Sequence, residues 1–248
     1  AERELAWFGQ GAELDDLPLL SALFAPDDDA ADRFVGDLIA RLLARLADDC
    51  LTQSPLRFSS DDAATTLVLA RAGTAVLTLH LFDGQALAGR PAPVSVSFPP
   101  AETFEKILRG SGEALRVIVQ PGSNGRASLT QVPATFAEGE VSQRNGRREA
   151  RVLRRIDGAM VSLRLQRRAS AGEVVREYAL ADGTLLHQAA GSPRDSRLEL
   201  AAALLGRMGR RDAAPLLAAM AEEQGSAALR WQALRECLAL DSAAGFTA

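Results

Sequence analysis

The sequence predicts an α+β fold: a central antiparallel β-sandwich or barrel with a helical segment before it and another after it. Three observations carry this. First, the spacing of apolar residues changes from the helical period to alternation near residue 55 and returns to the helical period after residue 192. Second, the alternating region is punctuated by Asn124-Gly125, Asn145-Gly146, Asp157-Gly158 and Asp182-Gly183, pairs that supply the positive φ of tight hairpin turns. Third, 248 residues with 47% hydrophobic content can bury a full core. The expected organisation is a helical segment over 1–54, a β body over 55–192 and a helical segment over 193–248.

Residues 1–29 are acidic and broken by Pro and Gly. A short helix is expected over Asp16–Phe24, with Asp16 near its cap and Pro18 in its first turn. Asp27-Asp28-Asp29 then places negative charge where the next helix begins. That helix, over about 30–49, repeats apolar residues at Phe34, Leu38, Leu42 and Leu46, with Val35, Ile39 and Leu43 beside them. Its polar face balances Arg33, Arg41 and Arg45 against Asp37 and Asp49, so it is expected to pack on the core and not on a membrane.

In the β region, strands are expected at 65–70, 75–82, 94–98, 115–120, 127–132, 149–156, 159–166, 173–180 and 184–188. In the second, Leu77, Leu79 and Leu81 take one face, and Thr78 and His80 the other. Asp157-Gly158, between Arg154-Arg155-Ile156 and the run 159–165, is the clearest hairpin signal. Such turns favour an antiparallel body over a parallel sheet with crossover helices. After residue 192, helices are expected over 197–209, 213–223 and 227–240.

Charge is unevenly placed. Residues 1–62 hold 14 acidic and 5 basic side chains, a balance of −9, whereas 141–211 hold 15 arginines and 7 acids, a balance of +8. Of the 28 basic residues one is lysine, Lys106. The arginines at 144, 147, 148, 151, 154 and 155 do not form one clean strand face, and aromatic content is 5%, so nucleic-acid binding is disfavoured. Cys50 and Cys237 lie in apolar helical contexts with no paired spacing and are expected to be buried free thiols. No apolar run approaches about 18 residues, and no basic, apolar leader is visible, so a cytoplasmic protein away from membranes is expected.

Residues 98–117 resemble part of a cupin, a small β-barrel family whose first motif ends in a Glu, six residues and a Gly. Glu105 and Gly112 have that spacing, and Leu108–Gly112 suits the turn between the motif's two strands. A metal-binding cupin carries His-x-His just before that Glu, where this chain reads Pro99-Pro100-Ala101-Glu102-Thr103-Phe104. The resemblance therefore implies a barrel without the family's metal ligands, and no metal or other cofactor is expected. The two histidines, His80 and His187, could in principle join carboxylates at a metal, but each alternates with Leu on a strand and reads more simply as a surface or interior residue. The C-terminal helices resemble HEAT-type repeats, with Gly209 ending the first helix, Asp212 capping the second, Pro215 in its first turn, and Asp241 repeating the place of Asp212.

No nucleophile elbow, phosphate-binding glycine loop or dinucleotide fingerprint is present, so no catalytic residues are assigned. The expected function is a non-catalytic binding or regulatory protein. Its barrel would take a small-molecule ligand near His80, Glu105 and His187, and its C-terminal helices would support self-association or a protein partner. The alternative is a cupin-like enzyme acting on a small molecule, with a metal if those residues supply ligands.

Overall fold

The computed structural model describes residues 2–49, 51, 56–122, 125–168, 173–224 and 226–247. They form two compact units: 1–94 with 101–120 and 129–168, and 95–100 with 121–128 and 169–248. The architecture is α+β, with antiparallel sheets and helices at both ends of the chain. Among the described residues no helix is long and apolar enough to cross a membrane.

The first unit opens with helices α1 (Glu2–Gln10), α2 (Pro18–Leu23) and α3 (Ala30–Asp48). Strands β1 (Arg57–Ser60), β2 (Ala64–Ala72) and β3 (Ala75–Asp83) follow, then the short helix α4 (Gly84–Ala88). Next come β5 (Ala101–Arg109), β6 (Gly112–Pro121), β7 (Ala127–Phe136), β8 (Val141–Asn145), β9 (Glu149–Ile156) and β10 (Ala159–Arg168), with β4 (Ser95–Phe98) belonging to the second unit. A six-stranded sheet has the order β1-β2-β3-β10-β5-β8, and a three-stranded sheet the order β7-β6-β9. The large sheet uses its two faces differently. Leu77, Phe104, Leu108, Leu163 and Leu165 meet Leu5, Phe8, Leu17, Leu20, Leu23 and Phe24 of the N-terminal segment in one apolar core. The opposite face carries Thr78, His80, Thr103, Glu105 and Ser162, all buried.

Asp157-Gly158 does not close a hairpin. Strand β9 pairs with β6 in the small sheet and β10 pairs with β3 and β5 in the large one, so this turn carries the chain between sheets. Gly110-Ser111 makes the matching crossing from β5 to β6. The two corners touch: Asp157 N–H donates to the Ser111 carbonyl at 2.9 Å, and Ser111 Oγ donates to Asp157 Oδ2 at 3.1 Å. Gly110 has φ 95°, and a Cβ there would stand 2.3 Å from the Ala159 carbonyl oxygen. A Cβ at Gly112 would stand 2.1 Å from that of Arg155. Both glycines are required by close backbone approach. The Asn145 turn also differs from expectation. It closes by Arg148 N–H to the Asn145 carbonyl and Arg147 N–H to Asn145 Oδ1, without a left-handed glycine at 146. Asn124 lies outside the described residues.

Three polar side chains fasten the N-terminal helices. Asp16 does not cap α2; it lies in a 3-10 turn, and Glu4 reaches from α1 to accept from Leu19 N–H and Leu20 N–H, each at 2.9 Å. Arg167 donates to the carbonyls of Phe8 and Ala12 and to Glu102, satisfying the end of α1. The buried Lys106 ammonium donates to the carbonyls of Ala25 (2.7 Å) and Asp28 (2.5 Å) in the link between α2 and α3. The core-packing role expected for the whole of α3 holds only for its first turns. Ala31 and Val35 are buried, whereas Leu38 and Leu42 are half-buried and Ile39, Leu43 and Leu46 are exposed.

The second unit contains a sheet of order β12-β11-β4, with β11 (Val174–Ala179) and β12 (Leu185–Ala190). Helices α5 (Pro193–Arg207), α6 (Ala214–Glu222), α7 (Ala227–Leu240) and α8 (Ser242–Thr247) follow. Their core is Ala202, Ala214, Leu217, Ala221, Ala233 and Cys237, and the Cys237 thiol donates to the Ala214 carbonyl at 3.4 Å. Cys50 lies outside the described residues. Gly209 ends α5 with φ 65°, and Pro215 sits in the first turn of α6. Asp212 does not cap α6; its carboxylate is held by Arg210 within a 3-10 turn. Asp241 does accept from Ala244 N–H, at 3.1 Å, at the start of α8.

Replacing Lys106 by Met should leave two carbonyls under apolar cover without a donor. Urea denaturation should show a loss of about 3 kcal/mol; an unchanged midpoint would mean that the ammonium is not what holds the α2–α3 link.

Candidate functional site

The polar face of the large sheet follows from strand alternation. On β10, Leu163 and Leu165 point to the helices, so Ser162 and Arg164 point the other way. On β5, Phe104, Lys106 and Leu108 take the helix side, which leaves Glu105 opposite. Register then aligns these groups: Arg164 pairs with Glu105 across β10 and β5, and Ser162 with His80 across β10 and β3.

Glu105 is fully buried and is the centre of the site. Its Oε1 accepts from Ser162 Oγ at 2.9 Å and from Arg164 Nη2 at 3.1 Å. Its Oε2 meets Arg144 Nη2 at 2.6 Å and Arg151 Nη2 at 2.8 Å. Arg144 comes from the edge strand β8 and Arg151 from β9 of the facing sheet, so one carboxylate joins both sheets. Burial alone would raise the Glu105 pKa, but Arg164, Arg151 and Arg144 outweigh it and hold the carboxyl well below the usual carboxylate range.

His80 is held neutral. Its Nδ1 pairs with Thr66 Oγ1 at 3.0 Å and its Nε2 with Thr78 Oγ1 at 2.9 Å. Thr78 Oγ1 donates to the Arg164 carbonyl at 3.3 Å. The Thr78 oxygen is thereby left to accept from Nε2–H, and Nδ1 accepts from the Thr66 hydroxyl, so both ring nitrogens are engaged. Burial, reinforced by the charges of Arg164 and Arg151 and opposed by Glu105, pushes the imidazole down to about 4.

Beside this cluster a cleft of about 310 Å³ opens between β8 and the three-stranded sheet. Its walls include Ala114, Arg116, Ala134, Phe136, Glu140, Gln143, Glu149, Arg144 and Arg151. Arg116 is paired with Glu149 at 2.8 Å, and the Arg151 guanidinium lies 5.4 Å from the Phe136 ring centroid. Arg144 and Arg151 are therefore shared, each contributing both to the binding of Glu105 and to the cleft wall.

Of the three site residues expected from sequence, the structure brings His80 and Glu105 together. His187 belongs to the second unit, where it lies exposed on β12. Among the described residues, no three His, Cys, Asp or Glu side chains group as a metal site would require. Sequence reasoning missed Arg144, Arg151, Arg164 and Ser162. The available signal was Ser and Arg alternating with Leu in 162–165, together with the arginine excess over 141–211.

No family model matches the chain, and no curated protein matches it in sequence. Solved structures align with parts of it. A cupin superfamily protein from Desulfitobacterium hafniense aligns with 45% of this chain and 83% of its own, at 13% identity and a TM-score of 0.30. Pumpkin seed globulin aligns over 52% of this chain and 36% of its own, at 16% identity and a TM-score of 0.34. Procruciferin, an 11S globulin from Brassica napus, aligns over 50% and 34%, at 11% identity and a TM-score of 0.35.

Two measurements address the cluster. Glu105→Gln should cost about 3–5 kcal/mol at neutral pH, because three guanidiniums lose their common counter-ion; a change under about 1 kcal/mol would contradict the role given to Glu105. The second is pH-dependent. The unfolded imidazole takes a proton near its ordinary pKa and the folded one only near pH 4, so the His80 contribution is complete above about pH 6.5 and is lost as pH falls toward 4. Denaturation at pH 4.5 and pH 7 should differ by up to about 3 kcal/mol from this residue, and His80→Gln should flatten that window. An unaltered pH profile in the variant would show that His80 is not its source.

Proposed function

We propose that this protein is a non-catalytic binding protein whose β body takes a small molecule in the cleft between β8 and the three-stranded sheet. The observation that carries the reading is a cleft opening directly on a cluster whose ionisable groups are locked. Glu105 is held ionised by three arginines, and His80 is held neutral with both nitrogens engaged. An enzyme using either as acid, base or metal ligand would first have to undo those partners. The same partners give a binding site rigid walls, since Arg144 and Arg151 are fixed in place by Glu105. His187 has no part in this reading.

The helices of the second unit supply the association surface. Leu200 and Leu204 fall on one stripe of α5 that Met208 continues just past its end, at 73%, 56% and 58% exposure, an apolar face of the kind that HEAT-like helices present to a neighbouring repeat or a partner.

A panel of neutral and charged metabolites screened by thermal shift should give saturable stabilisation by at least one compound, and Ala134→Phe, which fills the cleft, should abolish it. Stoichiometric iron, zinc or manganese in protein purified without chelator, lost in His80→Ala, would overturn the reading in favour of an enzyme. Sedimentation should show concentration-dependent association that Leu204→Glu removes; a monomer at all concentrations would remove the association role.

A further inference from the structure

We propose that the ligand of the cleft is a small dianion, a dicarboxylate or a phosphate monoester, gripped by Arg144 and Arg151. This rests on the reading of the cleft as a ligand site and states what chemistry it selects.

Glu105 offers one negative charge to three guanidiniums, so the buried cluster carries two unmatched positive charges. Arg144 and Arg151 are each only 12% exposed at the side chain, so solvent screens them weakly. Two acids share the cleft wall. Glu149 is committed to Arg116, and Glu140 attracts Arg151 from the exposed rim, where solvent screens it, so together they offset the buried excess only in part. Burial is the main reason that Arg151 is pulled down to about 10; attraction to Glu105 and, less, to Glu140 opposes it, and repulsion from Arg144 and Arg164 adds to it.

Each guanidinium is a planar fork of five N–H donors. Arg144 and Arg151 turn Nη2 onto Glu105 Oε2, and both also form the wall of the open space. An anion with paired oxygens in the cleft meets donors already oriented by Glu105, without the entropic cost of ordering two long side chains. Ser142 Oγ, also on the wall, accepts from Arg144 Nη1 at 3.2 Å and keeps its own hydroxyl hydrogen for a further oxygen of such a ligand, whereas the Gln143 amide is already committed to Glu102. A neutral molecule would leave the excess charge uncompensated, and a monoanion would match half of it. With Glu140 screened at the rim, a dianion matches it most closely.

The test is calorimetric titration with malonate, inorganic phosphate, acetate and the neutral isostere malonamide. Saturable one-to-one binding is expected for malonate or phosphate, and whichever binds tighter distinguishes a dicarboxylate from a phosphoryl ligand. Arg144→Lys keeps a charge and the fold but loses the fork, and should weaken binding about tenfold or more. Glu140→Gln, at the exposed rim, should tighten it about threefold, a gain that no folding defect can imitate. Malonamide binding as well as malonate, or dianion binding indifferent to both substitutions, would overturn the dianion assignment while leaving the cleft as a ligand site. Absence of binding by all four probes, with neutral compounds from the thermal-shift panel still excluded by Ala134→Phe, would also overturn the dianion assignment alone. If no compound of any class is sensitive to Ala134→Phe, the cleft itself is not a ligand site and both readings fall.

Discussion

A single carboxylate joins the two sheets of the first unit. Glu105 lies on β5 and is grasped by Arg164 of β10, Arg144 of β8 and Arg151 of the facing sheet. A fully buried charge is tolerable only when its partners and hydrogen bonds replace the water it has lost. Four strands must therefore stand in one register before the cluster can form, and an alternative packing would bury one or more of these charges alone. The cluster specifies the arrangement even where it adds little net stability.

The strand carrying Glu105 serves two layers at once. Its next residue, Lys106, points to the other face and fixes the link between α2 and α3 through two carbonyls. Adjacent residues of opposite charge thus tie β5 to the helices on one side and to the small sheet on the other. Gly110 and Gly112 then let the chain leave the large sheet for the small one within three residues. The stretch 105–112 is accordingly where sandwich, helical cover and candidate site are all connected.

Much of this was legible in sequence, for reasons that differ by element. Leu77, Leu79, Thr78 and His80 alternate cleanly, so β3 and its two faces could be read directly. Strand β5 could not be read in this way, because burying Glu105 and Lys106 breaks the apolar alternation by which a strand is recognised. Strands β1 and β8 are edge strands with a single large apolar residue each, Phe58 and Val141, and carry no periodic signal. Helix α1 is short and places only Leu5 and Phe8 of its large apolar residues in the core. The Asp157-Gly158 turn was visible but its consequence was not, since the same local geometry joins strands within a sheet or between sheets. Arg144, Arg151 and Arg164 escaped because convergence on one carboxylate is a property of cross-strand register and sheet packing, which no local pattern records.

The position of Lys106 has a further consequence for the surface. It is the sole lysine of the sequence and is 2% exposed, so the folded chain presents no lysine ε-amine to solvent. Every solvent-facing cationic side chain that stays charged at neutral pH is a guanidinium, whose charge persists at any pH a cell experiences. Reagents and enzymes that acylate lysine would find no side chain to modify until the link between α2 and α3 opens. Acylation of Lys106 would thus report directly on release of the N-terminal helices from the sheet.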